Sequence, residues 1–598
     1  MAEEDTPDPF TNMWEAQAKL ARAMLAPLAV QPEQGGLMTT ALRMQRMWLD
    51  FQAEQGAAQS WGDPAQWLQW QQTALLQWPM LDPERQKALW EDGLVLWQQV
   101  LGGSAGDLPR ADKRFAAEEW RENPAFVLIH QTYLLLTEQL AAMVEAQENV
   151  PPKLKEQMRF FTRAVNDAAS PANVPWLNPV VLQRTAETGG ANLVKGMEHL
   201  LNDLRRGQLT HTDPDAFRLG ENIAVTPGKV IHQTELYQLI QYSPTTDEVL
   251  EVPLVIFPPW INRFYILDLN PKKSFVRWAV QQGLTVFMVS WKSADASLKD
   301  IEWDDYIRAQ TEAIDHVRQR LGVEAVHTIG YCVAGTTLAA TLAVMATREE
   351  AEKVQSATFF TAQVDFSEAG ELLNFVDDQQ LAALEALTPD GYLDGRYMAA
   401  TFNLLRGTDL IWNYVLNNYL LGEEYPAFDL LHWNGDVTNL PAKWHQSYLR
   451  DLYRDNRLVK RGSLVVDGVA IDLSKVTTPV YIQAGKEDHI APAASVWKMT
   501  EQFKGPVRFV LAGSGHIAGV VNPPDARKYQ YWTYDEPAPS LAAFQEQATE
   551  HPGSWWPDWI KWLRTHAPQM VEATGKRRPG SDGDDVIEDA PGIYVQTR

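Results

Sequence analysis

One short run stands out for the chemistry it can do. Gly330-Tyr331-Cys332-Val333-Ala334-Gly335 sets the only cysteine of the chain among small residues. It follows the apolar run VHTIG and precedes the small-residue run TTLAATLAVMA. A strand passing through a tight turn into a helix would hold the thiol at the tip of the turn. Small neighbours are what a strained turn and a close helix approach require. A thiol so placed is suited to acyl transfer, with the Val333 N–H at the helix start as an oxyanion donor. The plainer alternative is a buried small hydrophobe, the usual role of a free cysteine. Strand, turn and helix in that order favour the nucleophile.

A nucleophile needs a base and a group to orient that base. Gly485-Lys486-Glu487-Asp488-His489 follows the apolar run PVYIQA (479–484), and Gly513-Ser514-Gly515-His516 follows VRFVLA (507–512). His516, flanked by small residues, is the candidate base. Asp488 is the candidate acid that fixes its tautomer. His489 is a competing base or a substrate contact, and Glu487 a weaker rival for the acid. The alternatives are that Asp488 caps the helix APAASVWKM and that His516 is an ordinary loop histidine. A second oxyanion donor is expected after the strand at 252–257, where PPWIN offers the Ile261 N–H.

The elements that must position these residues are also legible. Apolar runs at 252–257, 284–291, 326–330, 355–362, 479–484 and 507–512 alternate with helical segments such as 304–321. Near-continuous apolar strands between helices predict a parallel sheet covered on both faces. Together with Gly-x-Cys-x-Ala, this pattern resembles the nucleophile elbow of the α/β-hydrolases, with Cys in place of Ser. The fold expected is α/β, with an α-helical N-terminal domain at 1–213 and a catalytic core at 214–362 and 436–572. A mostly helical cap at 363–435 and a loose C-terminal tail at 573–598 complete the division. Within the N-terminal part, EAQAKLARAMLAPLAV, ALRMQRMWLDFQAEQ and QKALWEDGLVLWQQVL carry amphipathic helical spacing, and 102–114 reads as a link.

Composition excludes several classes. The 598 residues carry 52 Lys+Arg against 77 Asp+Glu, a formal charge of −25, which argues against nucleic acid. One cysteine rules out internal disulfides and Cys-rich zinc sites and fits a reducing cytoplasm. The twelve histidines lack metal-ligand spacing, and neither a P-loop nor a dinucleotide fingerprint occurs. No metal and no cofactor are expected. The N-terminus shows no export signal. Val326–Ala346 is long and uncharged enough to suggest a membrane span, but its glycines and threonines fit a strand, a turn and a buried helix better. Arg457, Lys460 and Arg461 form a small basic cluster, either a phosphate contact or a solvated loop.

From about Asp112 onward the chain resembles the polyhydroxyalkanoate synthases. The resemblance rests on RFAAEEWRENP, NDAASPANVPWLNP, TPGKVIHQTELYQLIQYSP, PPWINRFYILDLNP, TVFMVSWKSAD, GYCVAGT, DLLHWNGDVTNLP, KEDHIAP, GSGHIAGVVNPP and GSWWP. It implies the single-component class that prefers short-chain (R)-3-hydroxyacyl-CoA, with Cys332 as nucleophile, Asp488 as acid and His516 as base. Asp268 matches a position the family retains and is read as structural. Two departures are Ala334, where the family usually has Gly, and Trp260, where a smaller residue is common. The resemblance further implies an active homodimer in the cytoplasm on polyester granules, with granule-associated proteins as possible partners. Trp555, Trp556, Trp559 and Trp562 are candidates for the granule face. The competing functions are a cysteine thioesterase or ester hydrolase of the same fold, and a non-catalytic granule-surface scaffold.

Overall fold

The computed structural model describes residues 36–55, 83–101, 111–581 and 583–597. Two compact units result: one combines residues up to His211 with Phe402–Tyr425, the other Thr212–Thr401 with Pro426–Arg598. The helical segment expected at 15–30 and residues 102–110 lie outside the described residues.

The first unit is helical. Its helices are α1 (Gly36–Gln55), α2 (Pro83–Leu101), α3 (Pro124–Glu145), α4 (Pro152–Ala168), α5 (Pro179–Thr188) and α6 (Ala191–Arg206). Proline opens four of them, where its missing N–H costs nothing. Asn123 and Asn178 cap α3 and α5 by accepting backbone N–H groups. Phe115, Trp120, Phe126, Tyr133 and Leu182 pack as one core of this unit. Phe402–Tyr425 docks onto α6: Asn192 donates to the Leu420 carbonyl at 2.8 Å and Tyr419 donates to Asp203 at 2.5 Å. The inserted segment expected as one cap at 363–435 is therefore divided, because this stretch finds its partners on the N-terminal helices.

The second unit is built on an eleven-stranded sheet. In chain order its strands are β1 (Gly228–Gln233), β2 (Tyr237–Tyr242), β3 (Leu254–Phe257), β4 (Val286–Trp291), β5 (Val326–Tyr331) and β6 (Val354–Phe360). They continue as β7 (Val480–Gly485), β8 (Val507–Ala512), β9 (Gln530–Thr533), β10 (Thr549–Pro552) and β11 (Glu588–Asp589). The spatial order is β10-β9-β8-β7-β6-β5-β3-β4-β2-β1-β11. The pairings from β8 across to β4 are parallel and the outer ones antiparallel. Each of the six expected apolar runs is thus a central parallel strand, and β3 to β7 are almost wholly buried. The flanking strands GKVIHQ, QYWT and TEHP are polar and lack the apolar density of strands covered on both faces, so they carry no such signal.

Helices cover the sheet. Among them α7 (Trp303–Leu321) starts with a reciprocal cap between Glu302 and Asp305 and ends at Gly322. Its acidic first turn and its Arg318 and Arg320 complement the helix dipole. The segment weighed as a membrane span is β5 followed by α8 (Val333–Thr347), both buried in the protein. Among the described residues no helix is long and apolar enough to cross a membrane.

The expectation of a loose tail at 573–598 is corrected. Arg577 is buried and donates to the Leu250 and Glu251 carbonyls and to Thr285, while β11 pairs with β1. Asp584 forms a buried 2.7 Å ion pair with Arg320 of α7. Gly- and Asp-rich composition gave the segment the look of a linker. Its few anchoring side chains are invisible to composition.

Candidate active site

Cys332 sits between β5 and α8 with φ 53° and ψ −125°. A non-glycine residue adopts that backbone only under constraint. The constraint is visible: the Cys332 N–H donates to the Phe360 carbonyl of β6 at 2.9 Å, and its own carbonyl accepts the first α8 bonds from Gly335 and Thr336. The turn is tight enough that a Cβ on Gly330 would stand 2.5 Å from Gly335 Cα, and a Cβ on Gly335 would stand 2.5 Å from Ala362 Cβ. The close approach is therefore between 330 and 335. Ala334 points into the core, fully buried, and its carbonyl accepts from Gln310 at 3.0 Å. An alanine at 334 is accommodated because the backbone crossing lies one residue further on.

The loops after β7 and β8 bring up the other two groups. Asp488 Oδ2 accepts from His516 Nδ1 at 2.7 Å, with both side chains almost wholly buried. Asp488 Oδ1 accepts from the Ile490 and Ala491 N–H groups at 2.8 and 2.9 Å. The carboxylate is thus both the partner of the imidazole and the stop of its own turn; it does not cap the following helix, Ala493–Trp497, whose cap position is Pro492. The Tyr331 hydroxyl, on the residue before Cys332, donates to the His516 carbonyl at 3.0 Å and ties the histidine loop to the elbow. Beneath that loop, Trp555 and Trp556 donate to the Gly519 and Val520 carbonyls at 2.7 and 2.9 Å.

Electrostatics bind the three together. Burial alone would lower the pKa of His516, but the charges of Asp488 and Cys332, and hydrogen bonds to both, push it up to about 10. Asp488 holds the imidazole at Nδ1, and the Cys332 sulfur adds to the same upward push. His489 is half-buried beside Asp488, and Glu487 is exposed; the ring that Asp488 holds is that of His516. The Val333 amide opens α8, where no intrahelical acceptor exists for it. Ile261 is half-buried in the loop after β3, which is pinned by Trp291 to the Pro258 carbonyl and by Thr438 to the Trp260 carbonyl. Trp260 itself is core, stacked on Tyr306 at 3.9 Å and edge-on to Trp291 and Trp444.

The chain matches the family model described as "Poly-beta-hydroxybutyrate polymerase (PhaC) N-terminus" over residues 111–279, and an "alpha/beta hydrolase fold" model over 252–523. A poly(3-hydroxyalkanoate) polymerase subunit PhaC from Rhizobium meliloti (strain 1021) is 46% identical, covering 84% of each chain. The poly(3-hydroxyalkanoate) polymerase of Methylorubrum extorquens is 46% identical, over 86% of this chain and 85% of its own. The Cupriavidus necator poly(3-hydroxyalkanoate) polymerase subunit PhaC is 40% identical, over 90% and 95% respectively.

The chain belongs to the poly(3-hydroxyalkanoate) polymerase family. It is an acyltransferase on an α/β-hydrolase fold.

Around this site the structure corrects one sequence expectation and gives detail to two others. Trp555, Trp556 and Trp559 are 1%, 0% and 0% exposed, so they cannot face a granule; they pack beneath the histidine loop and against Phe275 and Phe360. The basic cluster is already engaged, since Arg457 bonds Asp451 and Ser463, Lys460 the Asp455 carbonyl, and Arg461 lies 3.7 Å from Asp472. Asp268 is buried and accepts from Thr226 and Ser274, a structural arrangement as read from sequence; burial pushes its pKa up to about 6.

Sequence reasoning missed Tyr448 and Tyr453. They lie on a π-helical stretch, Tyr448–Arg454, with ring centres 5.4 Å apart. The Tyr453 hydroxyl accepts from Gln363 at 3.3 Å, and Gln363 is held by Ser495 at 2.7 Å. Burial raises both phenols, and the nearby Cys332 charge raises them further. A spacing of five fits no α-helical face, which is why periodicity gave no signal; a π-helix brings such residues into line.

Proposed function

We propose that this chain polymerises short-chain (R)-3-hydroxyacyl-CoA into polyester through a covalent intermediate on Cys332. The observation that carries the reading is the buried His516–Asp488 pair set against a cysteine in a constrained elbow. His516 takes the proton of the Cys332 thiol, and the thiolate attacks the thioester carbonyl. The Val333 and Ile261 N–H groups receive the oxyanion. Collapse expels CoA as its thiolate, which recovers the proton from His516, and leaves an acyl-cysteine thioester.

The 3-hydroxyl of the next monomer then attacks that thioester, giving its proton to His516 and forming the ester. Cys332 leaves as thiolate and recaptures the lengthened acyl group from its CoA thioester, so one CoA departs per unit added. Thioester-to-thioester exchange is nearly balanced, which suits a cysteine to transfer where serine would suit hydrolysis. His489 beside the acid fits a substrate contact. The same reading includes a homodimer located in the cytoplasm on its granules, where granule-associated proteins are partners; sedimentation of the purified protein with and without product tests the dimer.

The deciding assay is turnover of 3-hydroxybutyryl-CoA by the purified chain. Turbid polymer with CoA release is expected, whereas soluble 3-hydroxy acid would mean a thioesterase. Cys332→Ala is expected to abolish CoA release. Undiminished release would remove Cys332 as nucleophile.

A further inference from the structure

The α/β unit holds a space beside α8, the helix that follows Cys332. A cavity of about 580 Å³ is lined on its apolar side by Trp303, Tyr448, Leu452 and Leu464. Two of these walls lead back to Cys332. Trp303 donates to Thr337 Oγ1 at 2.9 Å, on the second turn of α8, the helix that begins at the nucleophile. Tyr448 packs against Tyr453 with ring centres 5.4 Å apart, the Tyr453 hydroxyl accepts from Gln363 at 3.3 Å, and the Gln363 carbonyl accepts at 2.7 Å from Thr336, whose own N–H donates to the Cys332 carbonyl. Tyr448 thus belongs to the cavity and to the surroundings of the thiol at once.

The charges lining the cavity identify its occupant. Lys443, Arg450 and Arg457 are matched in number by Glu302, Asp304 and Asp451. Lys443 lies 2.8 Å from Asp300, and Arg450 and Arg457 lie 3.3 and 3.0 Å from Asp451. No surplus positive charge is left to hold the phosphates of a CoA thioester. A neutral polyester suits this lining: its aliphatic carbons meet the apolar wall and its ester carbonyls accept from guanidinium N–H groups. π-Helical stretches recur at functional sites, and this one sets the tyrosine pair at the junction.

We propose that this cavity receives the polyester chain as it leaves Cys332, with the Tyr448–Tyr453 pair standing at its inner end. The proposal rests on the polymerase reading and adds a route for the product. Bulk placed in the cavity must therefore shorten the chain without touching the first acylation.

The test uses the full chain with Ser447→Trp and Val465→Trp, both at positions lining the cavity. Val465 is 56% exposed and tolerates bulk, so it carries the test if Ser447→Trp fails to melt cooperatively. Rapid mixing with 3-hydroxybutyryl-CoA measures the first burst of CoA, and size-exclusion chromatography measures polymer mass. The expected result is a burst within about twofold of wild type and polymer shortened by about tenfold or more. Polymer of wild-type mass from a folded variant overturns the proposal. So does a lost burst with a raised KM, which would make the cavity the entry path of the anionic thioester. A wild type that releases CoA but forms only soluble acid would sink the polymerase reading instead.

Discussion

At the scale of single residues, opposing influences meet at His516. An imidazole buried with no partners would be neutral at ordinary pH; the Asp488 carboxylate and the Cys332 sulfur reverse that. Because the folded-state pKa is raised from 6.5 to about 10, the stabilisation it supplies is complete below about 6.5 and disappears as pH rises through about 10. The melting temperature of His516→Gln relative to wild type should follow that course, with the deficit greatest at the acid end. Cys332→Ala removes one of the two raising partners, so the His516 ring should titrate lower in that variant by NMR. An unchanged titration would separate the thiol from the histidine.

The element that matters most is the β5–α8 turn. Its geometry explains why a departure from the family pattern at one residue is tolerated and would not be at the next. Gly335→Ala drives a methyl group into Ala362 and the Gly330 carbonyl and should cost about 1–3 kcal/mol in chemical denaturation. Ala334→Gly removes a buried methyl from a helix and should cost about 1 kcal/mol while leaving kcat essentially intact. If Ala334→Gly instead raised kcat several-fold, Ala334 would be limiting the turn itself. The π-helical stretch is the complementary case. Its tyrosines are brought against each other through a backbone irregularity that only local geometry reveals.

At the scale of the molecule, distant segments complete what neighbouring ones begin. Arg577, near the chain end, satisfies carbonyls of Leu250 and Glu251 just before β3 and the Thr285 hydroxyl just before β4. Arg577→Ala leaves those buried acceptors without that donor and should lower stability by about 1–3 kcal/mol, measured by urea unfolding followed by tryptophan fluorescence. A change below about 0.5 kcal/mol would return the segment to the status of a tail.

The sequence by itself determined the six central strands, the tight turn at Cys332, and the chain order of Cys332, Asp488 and His516. Those features have short-range signatures: runs of apolar residues sized for a buried strand, and small residues around one thiol. Which histidine meets Asp488, where Trp555 and Trp556 point, and how the inserted segment divides were decided only in three dimensions. Each depends on contacts between residues far apart in the chain, whose pairing energy exists only once the sheet has set their distance. Even the single cysteine was visible at once as a type, and its constrained backbone and charged neighbours only as a place.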